Sequence, residues 1–308
     1  MSGMSDLPAG AGAGDGVEAG VDGGNGGDGG DGARGRTFLV TGGNTGIGFA
    51  TAAELARRGG RVYIGCRSAA AGSAAVDAIK SASGSRDVWL LPLDLASLAS
   101  VRSCAAAFLA LDEPLHVLVN NAGLGGQRGL TADGFELHFG VNHLGHYALT
   151  LLLLDRLTAS GPDARIVNVA SAAHYGAPGI DFDALRRRTA SFTGQREYAV
   201  SKLCNVLFTQ ELARRLDGSG VSASSLHPGV VASDIWRRVP RLVRPLITAR
   251  MLTTEQGAVT SLYCATSPDL AASGGYYDKC AVQEPNPVAT PELAELLWKR
   301  SATWAGVG

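Results

Sequence analysis

Lysine is nearly absent from this chain. Only four of its 27 basic residues are lysines, and the basic residues balance 28 acids to a formal net charge of −1 over 308 residues. No concentrated basic face follows from such a balance, which excludes the electrostatic footprint of a nucleic-acid binder. Cysteine is scarce too. Cys66, Cys104, Cys204, Cys264 and Cys280 are widely spaced with no CxxC pair, so zinc ribbons and redox dithiols are excluded and reduced thiols in a cytoplasmic protein are expected. Long apolar runs are missing. The most apolar stretch, Tyr147 to Leu154, is interrupted by Thr150 and falls far short of the roughly 20 residues of a membrane span; no signal-peptide core precedes it. His143, His146, His174 and His227 lack the paired spacing of a metal-binding helix, so no metal site is expected.

Glycine, by contrast, is abundant, and unevenly placed. Of 42 glycines, 14 fall in residues 1–36, among six acids and two bases. Such a segment has too little apolar surface to offset its ordering entropy, so residues 1–36 read as a disordered tail. Residues 37–308 then form one domain. In them short apolar runs alternate with alanine-rich helical stretches, the pattern of a parallel sheet covered on both faces by helices. Strands are predicted at 37–40, 61–65, 88–91, 116–119, 165–169, 221–226 and 275–277, with helices near 46–58, 69–82, 97–110, 131–157, 197–216 and 254–266. The fold class expected is α/β, a single Rossmann-type doubly wound domain with a seven-stranded parallel sheet.

The first strand runs into TGGNTGIG, Thr41 to Gly48, and then into a helix. Gly42, Gly46 and Gly48 permit a sharp turn and close approach of a pyrophosphate to the helix N-terminus, where the helix dipole favours negative charge. The spacing differs from the usual G-x-G-x-x-G, and an ordinary strand-to-helix turn is the alternative. An acid at the end of the second strand would select NAD(H) through the ribose hydroxyl. None occurs between Glu54 and Asp77. Arg67 stands there instead, suited to a 2′-phosphate, so NADP(H) is favoured over NAD(H) unless Arg67 is simply a solvated surface residue. Asp94 and Asn121 lie where the third and fourth strands end, the ligand edge of such a sheet, and serve either cofactor or local capping.

Tyr198 and Lys202 form a YxxxK pair, one helical turn apart on one face. With seven tyrosines and four lysines the chance expectation is about 0.1. An ammonium beside a phenol lowers the phenol's pKa and makes it an acid/base group near neutral pH; the plain alternative is an amphipathic helix with one core aromatic. Ser171 ends the fifth strand on the same edge. Asn142 interrupts an apolar helix and needs partners if buried.

These motifs together resemble the short-chain dehydrogenases/reductases, and within them the retinol-dehydrogenase-like subgroup. The resemblance spans essentially all of 37–308 and rests on TGGNTGIG, Cys66-Arg67, Leu93-Asp94-Leu95, Asn120-Asn121-Ala122-Gly123, Val141 to His146, Ile166 to Ser171 with Ala173-His174, Tyr198 to Lys202, and His227-Pro228-Gly229-Val230. It implies a catalytic tetrad of Asn142, Ser171, Tyr198 and Lys202. Tyr198 would exchange the proton of the substrate oxygen and Ser171 would hydrogen-bond that oxygen. Lys202 would bind the nicotinamide ribose, and Asn142 would hold a relaying water. Cofactor contacts are implied at Gly42, Asn44, Thr45, Gly46, Ile47, Gly48, Arg67, Asp94, Leu95, Asn121, Ala122, Gly123, Tyr198, Lys202, Pro228, Gly229, Val231 and Ser233. Ser233 replaces the usual threonine and keeps the hydroxyl.

The expected activity is NADP(H)-dependent interconversion of a carbonyl and an alcohol on a small lipophilic substrate. Alternatives are a C=C reductase of the protochlorophyllide-reductase type and a non-catalytic NADP(H)-binding regulator. Residues 232–252 hold the substrate loop by family position; Ile235 to Leu252 carries five arginines and no acid, a composition also suited to weak attachment at an anionic membrane surface. Where many animal members of the subgroup carry a membrane anchor, residues 1–36 read as a glycine-aspartate tail, so no anchor is expected. Family members often form homodimers, so the resemblance leaves a homodimer open, while no feature of the sequence sets the assembly.

Overall fold

The computed structural model describes residues 32–230, 252–270 and 273–307. Its sheet alternates with helices as the apolar runs require: β1 (Thr37–Thr41), α1 (Gly46–Arg57), β2 (Arg61–Cys66), α2 (Ala69–Ser83), β3 (Val88–Pro92), α3 (Leu98–Leu109), β4 (Val117–Asn120), α4 (Gly145–Ala159), β5 (Arg165–Val169), α5 (Gln195–Arg215), β6 (Ser222–His227), α6 (Thr254–Thr266), β7 (Tyr276–Asp278), β8 (Ala281–Gln283) and α7 (Pro291–Ala305). Strand order is β3-β2-β1-β4-β5-β6-β7-β8. The first seven strands are parallel, and all seven expected strands are present to within two residues at each end. The eighth is an addition to the expected sheet: β8 pairs antiparallel with β7.

Period-two alternation divides the apolar residues between two cores. Leu39, Leu118 and Ile166 face one, with α3, α4, α5 and α7. Phe38, Val40, Val117, Val119 and Val167 face the other, with α1, α2 and α6. Each of these side chains is fully buried, which stabilises the fold by roughly 1.5–3 kcal/mol apiece relative to exposure. Strands buried on both faces read as unbroken apolar runs, which is why they were legible.

Three expectations need correction. The long helix predicted at 131–157 does not begin at 131: a π-helical segment, Phe139–Leu144, precedes α4. Gly134 accounts for part of the offset: its φ of 77° is left-handed and interrupts any helix begun at 131. Second, α7 was not anticipated, although Thr290 caps it, Pro291 opens it and Gly306 ends it in a left-handed conformation. Those are ordinary helix boundaries. Third, the packed body starts before residue 37. Ala33 is fully buried, Arg36 donates through Nη1 to the Gly32 carbonyl at 3.2 Å, and its other terminal nitrogen donates to the Asp163 carbonyl.

A chain beginning at Thr37 is therefore expected to be less stable than one beginning at Gly32 by about 1–2 kcal/mol, or about 2–6 °C in melting temperature. Equal melting curves would show that Ala33 and Arg36 contribute nothing.

Candidate active site

The C-terminal ends of β1, β4, β5 and β6 converge on one edge because the strands are parallel. β1 ends at Thr41 and turns at Gly42, whose φ of 67° is left-handed. A Cβ there would come within 2.9 Å of Ala122 Cα. At Gly48, in the first turn of α1, a Cβ would overlap the Asn121 side chain and the Gly42 carbonyl. Both glycines are thus required by close backbone approach. Thr45 is the N-cap residue of α1 with no side-chain capping bond, so Asn44, Thr45, Gly46 and Ile47 lead into that helix end. The loop is a cradle of the kind that admits a pyrophosphate.

Opposite it, Asn121 Nδ2 donates to the Thr41 carbonyl at 2.8 Å, and the Asn121 and Ala122 amides both donate to Thr41 Oγ1 at 2.9 Å. Asn120 is buried and bonds sideways, to Thr150 Oγ1 at 2.9 Å and Asn168 Oδ1 at 2.8 Å. Asp94 caps locally: its Oδ1 accepts the Ala96 amide at 3.0 Å. Leu95 is buried and packs on Gly145, where a Cβ would meet the Leu95 carbonyl at 2.7 Å. Arg67 follows β2 directly and is exposed; among the described residues it makes no salt bridge. Pro228 and Gly229 follow β6, and the Leu252 amide donates to the Val230 carbonyl at 2.9 Å. Val231, Ser233 and nearly all of the expected 232–252 loop lie outside the described residues.

The four expected catalytic residues come together here. Lys202 is 3% exposed and its Nζ donates to the Val169 carbonyl at 2.8 Å, at the end of β5. Burial lowers its pKa to about 8. Lys202 Nζ stands 5.7 Å from the Tyr198 ring centroid, and the Ser171 hydroxyl is close enough to the phenol to favour its ionised form. Asn142, in the π segment, is fully buried and is satisfied by the Leu124 main chain and one serine hydroxyl. Its Oδ1 accepts the Leu124 amide at 2.9 Å and its Nδ2 donates to the Leu124 carbonyl at 3.1 Å and to Ser201 Oγ at 2.9 Å. A Cβ at Gly123 would sit 3.3 Å from Asn142 Oδ1 and 3.5 Å from Lys202 Nζ, so Gly123 lies between them.

The electrostatics differ from the expectation in one respect. Burial raises the Tyr198 pKa, and the neighbouring Ser171 hydroxyl opposes that shift; lysine does not govern it. An unpaired phenolate in a desolvated site costs more than the ammonium recovers at this separation.

Sequence reasoning also missed the supports. Ser171 Oγ accepts the Ala173 amide at 3.2 Å, while its carbonyl accepts from His174 Nδ1 at 2.7 Å. His174 Nε2 in turn accepts the Asn286 amide at 3.1 Å, and Asn286 Nδ2 donates to the His174 and Ala177 carbonyls. A residue from the segment before α7 thus clamps the turn after Ser171. No local motif announces Asn286. A cavity of about 570 Å³ beside α5 is lined by Glu136, Ile180, Arg196, Glu197 and Val200, and by none of the four expected catalytic residues. No group of metal-binding side chains occurs among the described residues.

Comparison with known proteins decides the family. Residues 36–182 match the family described as short chain dehydrogenase. Retinol dehydrogenase 12 of Mus musculus is 44% identical over 280 residues, 89% of this chain and 87% of that one. The chain belongs to the short-chain dehydrogenase/reductase family, in its retinol-dehydrogenase-like group. Retinol dehydrogenase 11 of Homo sapiens is 45% identical over 278 residues, 89% and 86% of the two chains. Among solved structures, an uncharacterized protein from Mycobacterium paratuberculosis superposes with a TM-score of 0.72 at 34% identity, covering 89% of this chain and 94% of that one. The Pseudomonas aeruginosa RhlG/NADP active-site complex gives 0.63 at 25% identity, over 83% and 97%. As a member of this family the short-chain dehydrogenase is an oxidoreductase that binds a nicotinamide dinucleotide and interconverts carbonyl and alcohol groups.

Two histidines behind the site carry a pH signature. Burial lowers the pKa of His143 to about 3 and that of His146 to about 4. Unfolded, each takes up a proton near pH 6.5. Their neutral burial therefore stabilises the fold fully above that pH and less as pH falls toward 4, by about 2 kcal/mol per histidine at pH 5. Urea midpoints at pH 7 and 5 should differ accordingly, with a smaller drop in His143→Gln; a drop of unchanged size in that variant would remove His143 from the account.

Proposed function

We propose that this short-chain dehydrogenase interconverts a carbonyl and an alcohol on a small lipophilic substrate, with NADP(H) preferred over NAD(H) and Tyr198 as general acid/base. The observation that carries the reading is the grouping of Tyr198 with the Ser171 hydroxyl, one helical turn from a buried Lys202 whose ammonium is held on the Val169 carbonyl. A bound nicotinamide dinucleotide supplies or accepts the hydride. Everything else is work for this chain's residues. The glycine cradle, where a Cβ at Gly42 or Gly48 would collide with main chain, fits the pyrophosphate, and Asn121, Ala122 and Gly123 flank it. Arg67 supplies a guanidinium for a 2′-phosphate, where an acid would repel it.

Ser171 Oγ orients the substrate oxygen, and Tyr198 gives it a proton during reduction. A pKa raised by burial keeps the phenol protonated at neutral pH, which suits donation. Lys202, held on the Val169 carbonyl, sits one turn along the helix to bind ribose and to pass the phenol its proton, which a water held at Asn142 would relay to the ammonium. A lipophilic substrate is supported by the names of the retinol dehydrogenase relatives and by exposed Val230 and Leu252 just after β6. A reducing, cytoplasmic setting is supported by the free cysteines, four of them buried.

Tyr198→Phe is expected to lower turnover at least 10³-fold, on the order of a general acid/base contribution, while NADPH affinity by fluorescence titration stays within a few-fold. Near-normal turnover in that variant would overturn the assignment. Arg67→Ala should raise the KM for NADPH about tenfold and leave that for NADH unchanged, the loss of one charge-assisted contact; an unchanged NADPH/NADH ratio would make Arg67 a bystander.

A further inference from the structure

His146 stands in the first turn of α4, 2% exposed, and faces two elements. Its Nδ1 lies 3.0 Å from the Asn142 carbonyl. A carbonyl only accepts, so Nδ1 carries the ring proton. Nε2 lies 2.8 Å from Thr41 Oγ1 and, being the bare nitrogen of a neutral ring, must receive the Thr41 proton. The other acceptor near that proton, the Val119 carbonyl, is at 3.4 Å, a distance at which a hydroxyl bond is weak. Once the Thr41 proton points to His146, both lone pairs of Oγ1 are free for the Asn121 and Ala122 amides, each at 2.9 Å. Burial, which lowers the imidazole pKa to about 4, keeps the ring neutral and this polarity in place.

The bonds close into a ring. Asn142 grips Leu124 directly through its side chain and grips Asn121 and Ala122 through its carbonyl, His146 and Thr41. Residues 121–124 are therefore held at both ends from the π segment, with Gly123 between them facing Lys202. We propose that His146 is a positioning residue that locks the Asn121–Leu124 turn of the cofactor edge to the π segment bearing Asn142. It touches no reacting atom. Its effect is to make the place of the cofactor and the place of Asn142 one variable: displacing either moves the other.

The inference rests on the proposed cofactor site, and its test separates the two. A double-mutant cycle combines His146→Phe with Thr41→Val in the full chain, and NADPH dissociation constants are read by fluorescence titration alongside kcat. If His146 acts through Thr41, each single variant weakens NADPH binding about tenfold, and the double variant is no weaker than the worse single one, the signature of a shared interaction. His146→Gln, whose amide oxygen can accept from Thr41, should recover most of the affinity. Losses that multiply in the double variant, or wild-type affinity and kcat in His146→Phe, overturn the proposal. Should His146→Phe not fold by thermal melting, the cycle uses His146→Asn, too short to reach Thr41, with the same two outcomes. Wild-type protein that binds neither NADPH nor NADH overturns the cofactor site itself and the inference with it, whereas wild type that binds while the cycle multiplies overturns this inference alone.

Discussion

A lysine that is 3% exposed must find an acceptor for its ammonium, and Lys202 finds the Val169 carbonyl at 2.8 Å. This bond, with a second from Asn205 Nδ2 to the same carbonyl at 3.3 Å, ties α5 to the end of β5. Val169 is the last residue of β5, and the next residue, Ala170, still donates its amide to the Leu226 carbonyl of β6 at 2.8 Å, so the acceptor stands on the paired end of the strand. Burying the charge in this way costs desolvation, visible in the lowered lysine pKa, and the cost is borne where it places Tyr198 one turn earlier beside Ser171. The rest of the edge is arranged around that pair.

Satisfaction of buried polar groups organises the surroundings. Asn120, Thr150, Asn168 and Thr209 run as a hydrogen-bonded row across the sheet and its helices. Asn142 uses its amide as a strand would use a peptide, pairing both ways with Leu124. The π segment provides the room, and segments of that kind often accompany functional positions. Hydrogen-bonded networks of this sort specify one arrangement strongly, because a half-satisfied member costs as much as a full bond contributes. The arrangement of this strand edge is specified for this reason, with apolar cores on both faces of the sheet behind it.

How much of this could be read beforehand depended on range. The seven parallel strands were legible because doubly buried strands appear as continuous apolar runs, and α6 was located to the residue at 254–266. The β7–β8 hairpin was not legible: its turn residues, Lys279 and Cys280, both take positive φ (50° and 63°), a conformation usually marked by asparagine and glycine. The start of the helix at 131 was wrong because the apolar pattern continues through Thr131 and Phe135, which fill the core without being helical. Ala33 was overlooked since a glycine-rich neighbourhood hides one well-placed alanine. The lysine–tyrosine pair was found from spacing alone, yet the direction of the Tyr198 shift was not, as burial depth is no local property.

What the amino-acid order determined by itself was the set of parts: a glycine loop after the first strand, polar strand ends, a YxxxK helix and the absence of an acid before Arg67. These depend on residue type and spacing within one or two turns, which local geometry governs. The tertiary structure alone decided which parts meet. His146 on Thr41, Asn142 on Leu124 and Asn286 on His174 join residues 105, 18 and 112 positions apart. Such partners are chosen by the packing of the sheet and its helices, since a buried donor bonds whatever acceptor the fold brings within about 3 Å.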